Sequence, residues 1–336
     1  MRKFEALELL EAGFVRERLA HRSRITYRGC VDRFLREANW TAETPEDTVS
    51  QFLGSHAAGW AAATQSQYLN AIVFLFRYGF QKPLGKMPEW ARAERAQRLP
   101  VWLAHNEALS ILDQMRDPNR LVCELMYGSG LRISEVCRMR RKDVNWVEGT
   151  LVVRSGKGDK DRVTCLPRSL VEKMREQDAL AAGVWRRDRV ENVGPVWEPE
   201  SVARKYPKRG LEEGEFWLFP ARSVARGEKW GNARHHLHPD TLAKAIPIAT
   251  RSAGVLKHVK AHVFRHTFAT EYLLNGGDIR ALQELLGHTQ IETTMIYTHC
   301  LPRLASLITS PLDRAADNVV AADFSQISRF VGRRSA

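Results

Sequence analysis

The chain has 336 residues, of which 44% are hydrophobic and 27% charged, so its composition is that of a folded protein and not of a disordered one. Lysine and arginine outnumber aspartate and glutamate by 51 to 39, and the formal net charge of +12 favours a polyanion as partner. The five cysteines form no C-x-x-C pair and no stretch approaches the roughly 18 apolar residues of a membrane helix, which excludes a disulfide framework and a membrane span and indicates a cytoplasmic protein.

The first hundred residues have the pattern of a small helical bundle, and the chain length suggests a second domain after it. Apolar residues from Tyr27 to Leu35 recur at helical spacing. Thr44 and Pro45 resemble an N-cap followed by proline at the first helical position, and Thr64 begins a capping box. We interpret residues 1–84 as a helical domain and the breaker-rich, basic residues 85–102 as a linker.

Arginines cluster near the start of the chain. Residues 16–36 hold seven arginines against one glutamate and one aspartate. Such a run can equally be a solvated helix face, but the net charge favours a surface that follows a DNA backbone. The DNA contacts predicted in the first domain and the linker are Arg22, Arg24, Arg28, Arg92, Arg95 and Arg98.

The second domain, residues 103–336, combines helices with one clear strand signal. Residues 150–154 and 162–166 flank a basic, glycine-bearing turn, which predicts a β-hairpin. Helices are predicted near residues 169–181, 240–253, 262–274 and 278–286, with an irregular stretch from 184 to 234. Pro247 should kink or break the second of these helices. The predicted fold class is therefore mainly α, a helical domain followed by a mixed α+β domain with a small hairpin or sheet.

Two local signals in this domain suit a phosphate. A glycine turn at residues 128–130 leads into a helix with Arg132 near its start, where free N–H groups and a guanidinium favour phosphate oxygens, although such an arginine often pairs with a carboxylate. Lys157 stands between two glycines in the hairpin turn. A lysine there is either a solvated turn residue or one that reaches a ligand, and Lys160 competes for the same role.

Two further signals come from the last predicted helices. His262 and Arg265 are three residues apart, so they lie on one helical face and can point at the same anion. Gly287 should end a helix, which places His288 in a tight corner before the next one. Tyr297 follows nine residues later, where a tyrosine would ordinarily be read as packing.

Taken together, these residues resemble in order and spacing the active-site set of the tyrosine recombinase, or phage integrase, family. The set is Arg132, Lys157, His262, Arg265, His288 and Tyr297. The resemblance covers essentially the whole chain and implies a core-binding (SAM-like) DNA-binding domain at 1–84, a linker at 85–102 and a catalytic domain at 103–336, the tyrosine recombinase fold.

The resemblance implies a mechanism. Tyr297 attacks a DNA phosphodiester and forms a covalent 3′-phosphotyrosine with a free 5′-hydroxyl, with His262 as general base and Lys157 as general acid. Arg132, Arg265 and His288 neutralise the transition state. The scheme needs no cofactor, metal or ATP, and we interpret the histidines of 235–238 as DNA contacts or packing because no other ligands accompany them.

Within the family, the chain resembles integron integrases. Matching motifs lie at 63–67, 98–101, 202–209, 216–220, 234–236 and 310–313. The resemblance implies that an added segment, residues 184–220, helps to recognise folded single-stranded hairpin sites, where its aromatic residues either stack on a flipped base or pack the core. DNA contacts predicted in and near it are Arg204, Lys205, Arg234, His235 and His236. A homo-oligomer is also implied, a tetramer on DNA. The chain beyond Leu301 is longer than the minimal family tail, and residues 319–331 are a candidate helix for docking on a neighbouring protomer.

Three alternatives stay open on the sequence. A Xer-like or phage-type recombinase acting on duplex sites would share every catalytic residue. A non-catalytic DNA-binding relative would not need Tyr297, and a type IB topoisomerase would use kindred chemistry without strand exchange.

Overall fold

The protein is described here by a computed structural model, which covers residues 3–40, 42–90, 101–154, 161–198, 200–227, 231–288 and 290–297. Lys157, the linker arginines Arg92, Arg95 and Arg98, and the tail at 319–331 lie outside the described residues. The chain divides into two compact units, residues 1–98 and 99–336. Both are built mainly from helices, and the predicted fold class is confirmed.

The first unit is a helical bundle. Its helices are α1 (Lys3–Arg16), α2 (His21–Glu37), α3 (Pro45–Ser55) and α4 (Ala62–Phe74), and α4 continues into a π-helical turn, Leu75–Gly79. Phe34, Leu53 and Ile72 are among the residues of its buried core. Thr44 caps α3 as predicted, since its side chain accepts a bond from the Asp47 amide. The capping box predicted at Thr64 is wrong, because α4 begins two residues earlier and Gln65 is buried inside the helix, where it donates to the Leu53 carbonyl.

The second unit opens with α5 (His105–Asp113), α6 (Asn119–Ser129) and the short α7 (Ile133–Cys137). A three-stranded antiparallel sheet follows, ordered β1 (Val144–Asn145), β2 (Thr150–Val153) and β3 (Arg162–Cys165). The predicted hairpin is thus confirmed, with Val153 paired to Arg162 at the end of the β2–β3 ladder.

The rest of the unit is mainly helical. Its helices are α8 (Val171–Val190), α9 (Glu200–Lys205), α10 (Asp240–Ser252), α11 (Ala261–Leu274), α12 (Ile279–Leu286) and α13 (Glu292–Met295), and a two-stranded sheet pairs β4 (Ala225–Gly227) with β5 (Gly231–Ala233). The stretch predicted to be irregular therefore contains the end of α8, a short helix and a hairpin. Pro247 does not break α10. The carbonyl that loses its partner belongs to Ala243, an exposed residue, so water can satisfy it.

The main core of this unit lies between α6, α10, α11 and the sheet, with Leu125, Leu151, Ile246 and Phe264 fully buried. A second apolar cluster joins α11 to α12 and includes Leu273, Leu286 and Tyr297. This cluster brings the last predicted site residue against the helix that carries His262 and Arg265. Within the described part of the chain, no helix has the length and apolar character needed to cross a bilayer.

Candidate active site

The turn between α6 and α7 places Arg132. Gly130 ends α6 with φ +65°, and a Cβ there would lie 2.6 Å from a ring carbon of Phe268, so both the backbone conformation and the packing require glycine. Arg132 is the N-cap of α7. Its backbone N–H donates to Glu135 Oε2 at 2.7 Å and its Nη1 donates to Glu135 Oε1 at 2.8 Å, which fixes the guanidinium against the first turn of the helix.

Glu135 is the buried carboxylate on which the site is organised. It accepts a bidentate pair from Arg162 at 2.9 and 2.7 Å, and Arg265 Nη1 lies 3.8 Å from its Oε2. Burial alone would raise the pKa of this carboxyl, but Arg162 and Arg132 outweigh it and lower the pKa to about 2. Glu135 is therefore ionised at every pH at which the protein would be studied. The sequence offered one signal for it, the position three residues after Arg132.

Arg265 is fully buried on α11. Its Nη1 donates to the Gly130 carbonyl and its Nη2 to the Leu286 carbonyl, both at 2.6 Å, so it joins the turn before Arg132 to the end of α12. Burial and the neighbouring Arg132 lower its pKa to about 9, which leaves it charged at neutral pH. Its Nε is a buried donor without a partner among the described residues.

His288 lies in the corner predicted from Gly287. Gly287 ends α12 with φ +63°, and the backbone N–H of His288 donates to the Gln283 carbonyl. The imidazole is held between Arg265 Nη2, 3.2 Å from its Nε2, and Thr294 Oγ1, 2.9 Å from its Nδ1. The ring therefore lies beside the buried guanidinium and against the segment that carries Tyr297.

Tyr297 is 1% exposed and lies in the turn after α13. Its Oη is 2.9 Å from Nδ1 of His266, a residue that the sequence motifs do not single out. Burial raises the pKa of the phenol, and Arg265 and Arg132 partly oppose that shift. His266 is half-buried beside His262, and desolvation lowers its pKa to about 4, so a neutral imidazole faces a neutral phenol at pH 7.

His262 lies next to this pair, its ring centroid 4.5 Å from that of His266. Burial lowers its pKa, as do Arg265 and Arg132, so the imidazole is also neutral near pH 7. The structure thus brings five of the six predicted residues to one place, namely Arg132, His262, Arg265, His288 and Tyr297. Lys157, the sixth, lies outside the described residues.

The predicted DNA contacts of the first unit lie on α2. Arg22 and Arg28 are exposed, whereas Arg24 is partly buried and donates from Nε to the Leu19 carbonyl. Arg28 pairs with Glu11 at 2.6 Å, but a pair as exposed as this one is worth little and yields readily to a phosphate. Contact of these arginines with DNA stays a prediction.

The predicted contacts near the added segment divide into two kinds. Arg204, Lys205 and His235 are exposed. Arg234 instead donates from Nε and Nη2 to the buried carboxylate of Asp188 and from Nη1 to the carbonyls of residues 221 and 222, so each nitrogen of its guanidinium serves the fold. His236 packs edge-on against Trp217, and its Nδ1 meets the Leu237 carbonyl. The polar groups of Arg234 and the ring of His236 are therefore engaged within the fold and not turned towards a DNA backbone.

Comparison with known proteins agrees with the fold. The model of the phage integrase family matches residues 101–303, and the model of the phage integrase N-terminal SAM-like domain matches residues 7–86. Proteins named integrase/recombinase from Escherichia coli and Pseudomonas aeruginosa are each 39% identical to the chain over 254 residues, 75% of either length. A tyrosine recombinase XerD from Agrobacterium fabrum is 31% identical over 299 residues, 83% of either length.

Solved structures share the fold. A lambda integrase dimer bound to a COC′ core site matches with a TM-score of 0.59 and 16% identity, covering 88% of this chain and 95% of that one. The XerH site-specific recombinase bound to its difH substrate matches with a TM-score of 0.55 and 21% identity, covering 91% and 85%. With a family model over the larger unit and relatives of this identity and coverage, the chain belongs to the phage integrase family of tyrosine recombinases, site-specific recombinases that cleave and rejoin DNA.

Proposed function

We propose that the cluster around Arg265 is the DNA strand-cleavage site and that Tyr297 is its nucleophile. The observation that carries the proposal is the meeting of three guanidiniums, three imidazoles and one phenol around a single buried carboxylate. Three guanidiniums against one carboxylate leave an uncompensated positive charge of +2, which a bound anion would offset. A DNA phosphodiester is an anion that a phenol can attack.

The chemistry follows from the charges. In the pentacoordinate transition state negative charge grows on the phosphate oxygens, and Arg132 and Arg265 are donors already fixed in place by protein contacts, with His288 held beside Arg265. Tyr297 attacks the phosphorus and expels the 5′-oxygen, which takes a proton from Lys157 in the proposed scheme. The phenol must lose its own proton, and His262 and His266 are both neutral imidazoles able to accept one.

Neither Tyr297 nor Arg265 is accessible to a DNA phosphate in this structure. Arg265 is fully buried, and the phenol faces the protein interior, where it shares a hydrogen bond with His266. A phosphate can reach both groups only if residues 290–297, which carry Tyr297, move away from α11. We infer that DNA binding drives this movement. The movement breaks neutral hydrogen bonds and apolar packing, whereas the hydrogen bonds that form with the phosphate are charge-assisted and therefore stronger.

The proposed site is tested by trapping the covalent intermediate. A DNA substrate nicked near the crossover loses a short fragment after cleavage, so religation fails and the adduct accumulates. We expect a protein–DNA species that survives denaturation, with the DNA attached through a 3′-phosphate to Tyr297, as read by peptide mapping. An adduct on another residue, or cleavage without any adduct, would contradict the proposal.

We further propose that the recombination sites include folded single-stranded hairpins and that a cavity formed by the added segment holds an extrahelical base. The cavity has a volume of about 220 Å³ and is lined by Pro195, Trp197, Tyr206, Arg226 and His235, among others. Trp197 and Tyr206 are about half exposed, whereas Phe216, Trp217 and Phe219 pack the core. Trp197 and Tyr206 therefore expose a ring on which a base can stack.

A network of ion pairs adjoins the cavity. Glu215 is buried and accepts bonds from Arg140, Lys142 and Arg209, and Arg140 also pairs with Glu198 on the cavity wall. Lys205 precedes the cavity-lining Tyr206 and has its Nζ 5.2 Å from the centroid of that ring, where it can meet the phosphate of a flipped nucleotide. Aromatic faces beside a cation are the elements of base-stacking sites in proteins that bind single strands.

Replacing the two exposed aromatics tests this second proposal. We expect the wild type to bind a hairpin oligonucleotide with extrahelical bases more tightly than its linear duplex. Trp197→Leu and Tyr206→Leu should each weaken hairpin binding by about 1–3 kcal/mol, about five- to 150-fold, and leave duplex binding unchanged. The control Trp146→Leu removes an indole that packs against Arg175 away from the cavity. Equal affinity of the wild type for both substrates favours a Xer-like or phage-type enzyme acting on duplex sites.

We also propose that residues 1–84 form a core-binding domain, residues 85–102 a linker and residues 103–336 a catalytic domain. In this proposal the protein acts as a tetramer on DNA. The basic α2 face supports the core-binding role and the site described above supports the catalytic one.

A further inference from the structure

Arg162 is the buried arginine of the site to which neither the sequence motifs nor the proposed chemistry gives a role. It begins β3, and its side chain is 9% exposed, so its effect on DNA must pass through its neighbours. It joins three elements, because it binds Glu135 on α7 with two nitrogens and donates from Nε to the Leu285 carbonyl of α12 at 2.8 Å. Its stem also fills the space beside Gly287, where a Cβ would lie 2.9 Å from Arg162 Cδ.

The carboxylate that Arg162 binds is saturated. Oε1 accepts from Arg162 Nη1 and Arg132 Nη1, and Oε2 accepts from Arg162 Nη2 and the Arg132 amide. A carboxylate offers about four acceptor positions, and these four bonds fill them. Arg265 Nη1 therefore stays at 3.8 Å from Oε2, beyond hydrogen-bond distance.

We propose that Arg162 is a positioning residue, which occupies Glu135 so that Arg132 and Arg265 keep their guanidiniums for the scissile phosphate. Without it, two acceptor positions open 3.8 Å from Arg265, and the carboxylate pulls the catalytic guanidiniums towards itself. The loss also lowers the charge of the cluster, since three guanidiniums against one carboxylate leave +2 and two leave +1. This inference rests on the proposed function, because it assumes that the guanidiniums meet a phosphate.

The test compares a phosphodiester with a neutral methylphosphonate at the scissile position, in single-turnover cleavage at saturating DNA. Arg162→Gln should slow cleavage of the phosphodiester by about 10- to 100-fold, the cost of misplacing a catalytic group by about 1 Å. On the methylphosphonate, where less charge needs neutralising, the defect should shrink to about threefold. If Arg162→Gln proves poorly folded, Arg162→Lys replaces it, because one ammonium cannot reach both carboxylate oxygens and the Leu285 carbonyl.

Arg154→Gln is the matched control. Arg154 follows the other strand of the hairpin and pairs with the buried Asp143 at 2.6 Å, away from Glu135. The Arg154→Gln protein should cleave both the phosphodiester and the methylphosphonate at nearly the wild-type rate. Equal loss with Arg154→Gln, or an Arg162→Gln defect of the same size on both substrates, would mean that Arg162 only holds the hairpin and would overturn the inference.

A binding measurement separates this inference from the proposed function. In a Tyr297→Phe protein, which performs no chemistry, we expect tighter binding to the phosphodiester site than to the methylphosphonate site, and Arg162→Gln should remove most of that preference. A preference that survives Arg162→Gln, or that is absent to begin with, overturns the inference. Failure of the wild type to form an adduct counts against the proposed function alone, since the binding result does not depend on cleavage.

Discussion

Tyr297→Phe is expected to abolish the covalent protein–DNA adduct and all recombination while leaving the protein folded and able to bind DNA. The phenyl ring keeps the apolar packing that Tyr297 makes with Leu273 and Leu286. Only the hydrogen bond to His266 is lost, which costs about 0.5–1.5 kcal/mol of stability. The chemical loss is complete, because phenylalanine has no atom that can attack phosphorus. Adduct formation on the nicked substrate, thermal unfolding and a gel-shift assay measure the three properties separately.

Tyr272→Phe is the control for this variant. Tyr272 packs against the same apolar cluster from α11, so its substitution removes a hydroxyl from the same region without touching the proposed nucleophile. It should form the adduct at the wild-type rate. If Tyr297→Phe still forms an adduct, or if Tyr272→Phe loses it as well, then Tyr297 is not the nucleophile and the proposed site is wrong.

The parts of the site that the sequence predicts are those governed by local spacing. His262 and Arg265 share a helical face because they are three residues apart, and Gly287 places His288 because a left-handed residue ends a helix. The hairpin is predicted in the same way, from two runs of residues with high β-propensity on either side of a glycine-bearing turn. Resemblance to a family supplied the roles, since no local pattern distinguishes a catalytic tyrosine from one that packs.

The contacts that organise the site join residues far apart in the chain, and spacing does not reveal them. Arg162 meets Glu135 from 27 positions away and the Leu285 carbonyl from 123. Arg234 looked like a DNA contact within a basic motif, yet its partner is Asp188, 46 positions earlier in α8. A guanidinium has the same sequence signature whether it faces a phosphate or a buried carboxylate, and only the fold decides between them.

Arg265→Lys is the second large effect that we expect. Each terminal nitrogen of Arg265 donates to a different carbonyl, Gly130 on one side and Leu286 on the other. An ammonium on a flexible stem cannot hold both and present a further donor to a phosphate. Cleavage of the nicked substrate should fall by at least about 10²–10³-fold, or 3–4 kcal/mol, the usual cost of removing one preorganised donor. A carbonyl left without its donor should also destabilise the folded protein by about 1–3 kcal/mol.

The control for Arg265→Lys must lose a comparable structural interaction outside the site, and Arg141→Lys does so. Arg141 is 14% exposed and bridges Asp178 and Glu213, so its substitution breaks a partly buried network in the same unit. We expect lower thermal stability in both variants but slow cleavage, per folded molecule, only in Arg265→Lys. The residues that follow the two carbonyls bound by Arg265 lead directly to Arg132 and His288, so its loss displaces two other donors as well as its own charge. Equal cleavage by the two variants would mean that Arg265 serves packing alone, and the phosphate would then have to be neutralised elsewhere.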